Sequence, residues 1–108
     1  MCIDIYKQIG SRYPEKIYQK ALENKLAEMN IEYKKENYCK IEVDGKRVGA
    51  FRLDFLVEES VVVELKVRNE IINKDIGQIL TCMRLNNIEV GLLALFTNRG
   101  ARFKRFAV

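Results

Sequence analysis

The sequence predicts an α/β fold with a mixed sheet, because two helical patterns of apolar residues alternate with five strand patterns. The predicted order is α-β-β-β-α-β-β. A chain of 108 residues has the length of one domain, so residues 1–108 are expected to form a single folding unit. Apolar residues make up 48% and charged residues 31%, a balance typical of a globular protein.

Each element has its own local signal. Pro14 suits the first position of a helix, and apolar residues at helical spacing follow it, which predicts a helix over residues 14–29. Alternation over residues 39–43, followed by Asp44-Gly45, predicts a hairpin whose second strand covers residues 46–57. The remaining elements are a strand over 61–67, a helix over 73–86, a buried strand over 90–96 and an edge strand over 102–108.

Composition excludes several classes of function. The sequence has no histidine, so Ser-His and Cys-His catalytic pairs are excluded, and any metal should be held by oxygen ligands, as Mg²⁺ or Mn²⁺ is. The three cysteines form no CxxC pair, which favours reduced thiols and a cytoplasmic protein. The longest uncharged stretch, residues 90–98, is nine residues long, too short to span a membrane. No secretory signal is expected at the N-terminus.

The excess positive charge lies at the C-terminal end of the chain. Residues 1–60 carry 11 basic and 11 acidic side chains, whereas residues 61–108 carry 8 basic and 4 acidic ones. Arg99, Arg102, Lys104 and Arg105 stand in the last ten residues without an acid among them. Such a segment is typical of a phosphate-binding edge, of a dimer edge, or of an ordinary solvated strand.

Two carboxylates on neighbouring predicted strands form a candidate metal site. Glu64 and Lys66 share one face of the strand over 61–67, and Asp54 interrupts an otherwise apolar strand. A three-residue loop at 58–60 would place Asp54 opposite Glu64, and a two-residue loop would put the carboxylates on opposite faces. Two facing carboxylates repel unless a cation lies between them. The alternative is a plain Glu64–Lys66 ion pair.

Two further polar residues lie on the predicted helices. Glu15 stands in the first turn of the first helix, in line with Tyr18 and Leu22, where a carboxylate is also favourable without any function. Gln78 lies on a stripe beside the apolar face of the second helix, and nothing local distinguishes it from a surface glutamine. Tyr33, Tyr38 and Phe103 are aromatic candidates for stacking on bases, although isolated aromatic residues more often belong to a core.

The ordered set of motifs resembles a known family. Asp54 followed by Glu64-Leu65-Lys66 resembles the PD-(D/E)xK nuclease superfamily with its restriction-endonuclease-like fold. Residues 10–18 (GSRYPEKIY) with Ala21-Leu22, and the later segments 52–57, 77–80 and 90–93, resemble the small prokaryotic GxxExxY proteins over nearly the whole chain. The sequence departs from that pattern at Arg12, where the family has a glycine, and at Asp75 and Cys82, where it has a histidine and a tyrosine.

The resemblance implies a Mg²⁺-dependent (or Mn²⁺-dependent) phosphodiesterase. Asp54, Glu64 and the Leu65 carbonyl would hold the metal, and Lys66 would steady the attacking water or the phosphate. Glu15 and Gln78 would complete the catalytic set. Independently of the family pattern, Arg12 beside this site and the C-terminal cations Arg99, Arg102, Lys104 and Arg105 are predicted to contact nucleic acid.

Two functions of different classes follow. The first is a small nuclease acting on DNA, structure-selective or non-specific because the chain leaves no room for a recognition domain, with a homodimer as an open alternative. The second is a non-catalytic nucleic-acid-binding or adaptor module that keeps the nuclease fold.

Overall fold

The computed structural model describes residues 1–108, apart from the side chains of residues 36–38. Its elements in chain order are α1 (Cys2–Ile9), α2 (Glu15–Glu28), β1 (Tyr33–Val43), β2 (Lys46–Val57), β3 (Val61–Lys66), α3 (Asn73–Leu85), β4 (Val90–Thr97) and β5 (Gly100–Ala107). The α/β class, the mixed sheet and the order of all seven predicted elements are confirmed.

One element was missed. Residues 2–9 form α1, which buries Cys2 and Ile5 on one face. These residues and Ile9 recur at helical spacing, but eight residues are too few for that pattern to stand out, and packing against the sheet supplies the stability that the short helix lacks. β1 also starts six residues earlier than predicted, at Tyr33.

The five strands form one sheet in the order β1-β2-β3-β4-β5. β3 and β4 run parallel, and the other neighbouring strands pair antiparallel. The crossover between β3 and β4 contains α3, as a parallel connection requires. The carboxyl ends of β3 and β4 therefore lie at the same edge of the sheet.

Both faces of the sheet are covered. α1 and α2 pack on one face, where Tyr18 stacks on Phe96 with ring centroids 4.0 Å apart. α3 packs on the other face through Ile79, Cys82 and Met83. A side chain at Gly91 would meet the sulfur of Met83 at 2.6 Å, so α3 lies directly on the β4 backbone.

The cysteines Cys2, Cys39 and Cys82 are free and buried in these two cores. No helix in the described part of the chain is long and apolar enough to cross a membrane.

Candidate active site

Asp54 and Glu64 meet where the pairing of β2 with β3 ends. The strands pair at Val57↔Val61, Leu56↔Val62 and Phe55↔Val63, which leaves residues 58–60 as the loop. The longer of the two loops considered is therefore the one that forms. Glu58 and Glu59 take positive φ angles of 51° and 56°, which close the turn. Continued by one step, this register brings Asp54 beside Glu64.

Beyond the Phe55↔Val63 pair, side-chain carboxylates take the place of backbone carbonyls as the acceptors of inter-strand hydrogen bonds. The Asp54 N–H donates to Oε1 of Glu64 over 2.7 Å, and the Leu65 N–H donates to Oδ2 of Asp54 over 2.7 Å. Each carboxylate thus accepts a backbone N–H from the opposite strand. These bonds fix both carboxylates at the point where the strands part.

Lys66 follows Glu64 on the same face of β3. Its Nζ lies 3.9 Å from Oε2 of Glu64, and the two side chains are 21% and 11% exposed. At that distance the ammonium offsets part of the charge of Glu64 without a short hydrogen bond. The ion pair predicted as the alternative is thus present, and it lies next to the second carboxylate.

Helix α2 contributes a glutamine that the sequence analysis missed. Gln19 is buried, and its Nε2 donates to Oδ1 of Asp54 over 2.7 Å and to Oε1 of Glu15 over 3.4 Å. Glu15 and Gln19 are four residues apart, so they lie on one face of the helix. The first turn of α2 thereby joins Glu15 to Asp54 through the Gln19 amide.

The two buried carboxyl groups bind protons unusually tightly. The pKa of Asp54 is raised to about 7, mainly by burial and in part by the neighbouring Glu15 carboxylate, while the Leu65 N–H lowers it. The pKa of Glu64 is raised to about 8, mainly by burial and next by repulsion from Asp54. Lys66 lowers both pKa values, but less than these effects raise them. With both groups ionised, the pair would carry two negative charges against the single positive charge of Lys66, and this imbalance adds to the effect of burial in raising the two pKa values.

Gln78 lies apart from these contacts. It is half-buried on α3, and within the described residues its side chain makes no hydrogen bond to Glu64 or Lys66. It lies one turn before Cys82, whose thiol pKa is raised by burial, by Cys39 and by the Glu64 carboxylate. Gln78 is therefore on the side of α3 that approaches Glu64. Asp75, one turn earlier on α3, is buried and accepts a hydrogen bond from Arg68 over 2.8 Å.

The sheet register divides the predicted nucleic-acid-binding cations. One row of paired residues runs across the sheet from Lys66 on β3 through Leu95 on β4 to Arg102 on β5. A second row runs in the same way from Glu64 through Leu93 to Lys104. Paired residues in neighbouring strands share a face, so Arg102 and Lys104 lie on the face that carries Glu64 and Lys66. Arg105 alternates with them and lies on the opposite face.

The other two cations lie at the same edge of the sheet. Three adjoining surface depressions share Asn69 in the loop between β3 and α3. Arg12 lines one of them, Arg99 and Arg102 line the second, and Arg102 and Lys104 line the third. Arg12 has a φ of 75°, in the left-handed region that favours glycine.

The aromatic candidates divide as well. Phe103 is 43% exposed beside one of these depressions, whereas the Tyr33 ring packs edge-on against Phe55. The side chain of Tyr38 lies outside the described residues.

The donor set fits a divalent cation. In the part of the chain that the structure describes, no three acidic or thiol side chains lie close enough to hold a metal by themselves. Asp54 and Glu64 nevertheless place two buried carboxyl groups together, and a cation between them would stabilise their ionised forms. Oxygen ligands of this kind suit Mg²⁺ or Mn²⁺.

Comparisons with known proteins agree with this geometry. The structure is similar to the crystal structure of SSO0001, with a TM-score of 0.68 and 20% identity over 86% of this chain and 50% of that one. It is also similar to an alkaline exonuclease (LHK-Exo) from Laribacter hongkongensis, with a TM-score of 0.60 and 14% identity over 85% of this chain and 55% of that one. The chain thus spans about half the length of these two proteins, and the likeness shows the shared fold. No curated protein matches it.

A family model extends the agreement from fold to sequence. It describes the PD-(D/E)XK nuclease superfamily and matches residues 1–106, nearly the whole chain. Members of this superfamily act on nucleic acids and typically use divalent metals. The chain belongs to the PD-(D/E)XK nuclease superfamily.

Proposed function

We propose that this chain is a small metal-dependent nuclease that hydrolyses phosphodiester bonds in DNA, structure-selectively or without sequence preference. The observation that carries the proposal is the meeting of Asp54, Glu64 and Lys66 at the point where β2 and β3 part. Within the superfamily, the motif around Glu15 and Tyr18 supports a place among the GxxExxY proteins.

Asp54, Glu64 and the Leu65 carbonyl are the groups that would hold Mg²⁺ or Mn²⁺. When bound, such a cation lowers the pKa of a water and neutralises charge that develops on the phosphate. Without it, the two carboxylates would repel a phosphate. The roles of these residues rest on their burial, their mutual contacts and the family pattern.

Lys66 supplies the positive charge nearest to the carboxylates. Its side chain is partly exposed and lies at the end of β3, so its ammonium can reach a phosphate oxygen while it still faces Glu64. Glu15 is half-buried and can accept a proton or orient a water beside Asp54. Gln78, on the side of α3 toward Glu64, would orient the substrate or Lys66 after a change of side-chain conformation.

The basic residues on the site face would bind the nucleic-acid backbone. Arg102 and Lys104 share rows of the sheet with Lys66 and Glu64, and Arg12 and Arg99 line the adjoining depressions. Their charges would attract phosphates to the edge where the carboxylates lie. Arg105 was predicted with this group, but it lies on the opposite face and is left out of the proposed path.

The edge strand β5 does not favour a dimer formed by pairing two copies of itself. Arg102, Lys104 and Arg105 would bring like charges together across such an interface, which is destabilising. The same charges suit a polyanion. The homodimer considered from the sequence therefore needs another surface.

The second candidate is a non-catalytic nucleic-acid-binding module. The same basic edge supports it, but binding alone does not explain two buried carboxylates beside Lys66. Such a module would gain more from apolar or neutral residues at those positions, because burying charge is costly.

Cleavage assays decide between the two functions. Single-stranded, duplex and branched DNA, with RNA as a further substrate, are incubated with Mn²⁺ and the parent protein, Glu64→Gln or the exposed control Glu89→Gln. Cleavage by the parent and the control but not by Glu64→Gln supports the nuclease and shows its preferred substrate. DNA binding without cleavage by any of the three proteins would support the binding module instead.

A further inference from the structure

We infer that Gln19 is a positioning residue of the proposed metal site: its amide holds the carboxylates of Asp54 and Glu15 in place, although it touches neither substrate nor metal. The inference rests on the proposed nuclease function and adds a residue to it. It starts from a buried polar side chain whose contacts all lie within the candidate site.

The NH₂ group of Gln19 is used fully by this site. An NH₂ group has two hydrogens, and Nε2 donates to Oδ1 of Asp54 over 2.7 Å and to Oε1 of Glu15 over 3.4 Å. Only the nitrogen end of the amide can face two carboxylate oxygens, because its oxygen would be repelled by both. The two carboxylates thereby set the orientation of the glutamine, and the glutamine sets their separation.

Asp54 is held from two sides. Its Oδ2 accepts the Leu65 N–H from β3, and its Oδ1 accepts the Gln19 amide from α2. Because each oxygen of Asp54 accepts one hydrogen bond, the plane of the carboxylate is fixed. The lone pairs that remain for a metal therefore point in a constant direction. Without Gln19, Oδ1 of Asp54 would lose its neutral donor from α2, and the carboxyl group would be left with the Leu65 N–H and the like-charged Glu15 as its neighbours.

Gln19 also does this without adding charge. Glu15, Asp54 and Glu64 bring three carboxylates to a region where Lys66 is the nearest cation. A lysine or arginine at position 19 would compete with a metal for the same carboxylates. A neutral donor orients them and leaves their charge available to a cation.

The test compares Gln19→Met with the parent protein and with Gln8→Leu, a control that removes an exposed glutamine of α1. Methionine keeps the length of the side chain and removes both donors. Mn²⁺ affinity is measured by calorimetric titration, and kcat and KM are measured on the preferred DNA. Gln19→Met is expected to weaken Mn²⁺ binding about 10- to 100-fold and to lower kcat more than it changes KM. Gln8→Leu should match the parent.

Several outcomes would overturn the inference. One is Mn²⁺ binding and cleavage by Gln19→Met within twofold of the parent, and another is a parent protein that binds no Mn²⁺. A parent that binds Mn²⁺ but cleaves nothing contradicts the nuclease proposal, while the binding comparison still decides the role of Gln19. If Gln19→Met does not fold, Gln19→Leu is the second variant, because leucine is close in size and has no hydrogen-bond donor. A kcat of that variant equal to the parent's would also count against the inference.

Discussion

The backbone N–H of Asp54 donates to the side chain of Glu64 over 2.7 Å, one residue beyond the last backbone pair of β2 and β3. The strands part here, and their free N–H groups are satisfied by the two carboxylates instead of by carbonyls. The site is therefore part of the sheet's own hydrogen bonding. A substitution at either position that removes the acceptor oxygen would therefore leave a backbone N–H of the sheet without its partner.

Glu64→Gln should remove cleavage while keeping the fold. The glutamine oxygen can still accept the Asp54 N–H, but one of the two proposed anionic metal ligands is lost. We expect activity to fall at least about 100-fold. The melting temperature in metal-free buffer above pH 8 should rise, because a buried carboxylate repelled by Asp54 is gone. Cleavage rates and thermal melts of both proteins check this, and a clearly lower melting temperature would favour a structural ion pair with Lys66.

Metal-free stability should fall as the pH rises. The pKa values of Asp54 and Glu64 are about 7 and about 8 in the folded protein, against ordinary values of 3.8 and 4.5. From about pH 4 to pH 8 the folded state therefore holds more protons than the unfolded state, so the free energy of unfolding decreases with pH.

Mn²⁺ should reverse this trend, because a metal binds the deprotonated carboxylates and stabilises the folded state more at higher pH. Thermal melts across this range, with chelator and with Mn²⁺, test the idea. The same slope of melting temperature against pH in the parent and in Glu64→Gln would contradict it.

The division of cations by the sheet register predicts unequal effects on DNA binding. Arg102→Ala and Lys104→Ala should each weaken binding and reduce the salt dependence by about one phosphate contact. Arg105→Ala is the matched control from the same strand and should leave the salt dependence unchanged, because that side chain lies on the other face. Fluorescence anisotropy over a range of salt concentrations measures this. Equal losses of DNA affinity in all three variants would show that binding depends on the total charge of β5 and not on the face of the sheet that carries each side chain.

Arg12→Gly should make the protein more stable and a weaker binder. Arg12 holds a φ of 75°, which strains a residue with a side chain and suits glycine. Part of the relief is offset by the greater freedom of glycine in the unfolded chain, so we expect a gain of about 0.5 kcal/mol. The melting temperature should rise, and the DNA affinity measured by fluorescence anisotropy should fall. Unchanged DNA affinity would remove Arg12 from the proposed binding surface.

The sequence predicted those features that depend on local pattern. Periodicity was enough for the strands and the long helices, and the Asp54, Glu64 and Lys66 triplet was visible in the motif. The loop at 58–60 could not be decided in advance, since Glu58-Glu59-Ser60 has no residue that selects one turn, and the positive φ angles decide it.

The missed features depend on contacts distant in sequence. Gln19 lies 35 residues from Asp54, and its position on α2 is ordinary for a helix. The opposite facing of Lys104 and Arg105 follows from alternation, but only the pairing of β3, β4 and β5 shows which of them shares the face of Glu64.

The row from Lys66 through Leu95 to Arg102 has a geometric consequence for the products. It crosses two gaps between strands, about 10 Å in a sheet, and both ends are held by the same hydrogen-bonded ladder. Each strand of a DNA duplex advances about 3.4 Å per nucleotide along the helix axis, so this row matches roughly three nucleotides measured along that axis. Under the proposed nuclease function, a phosphate bound at Arg102 would be held at a fixed distance from the point of cleavage, and the ends produced should share one offset.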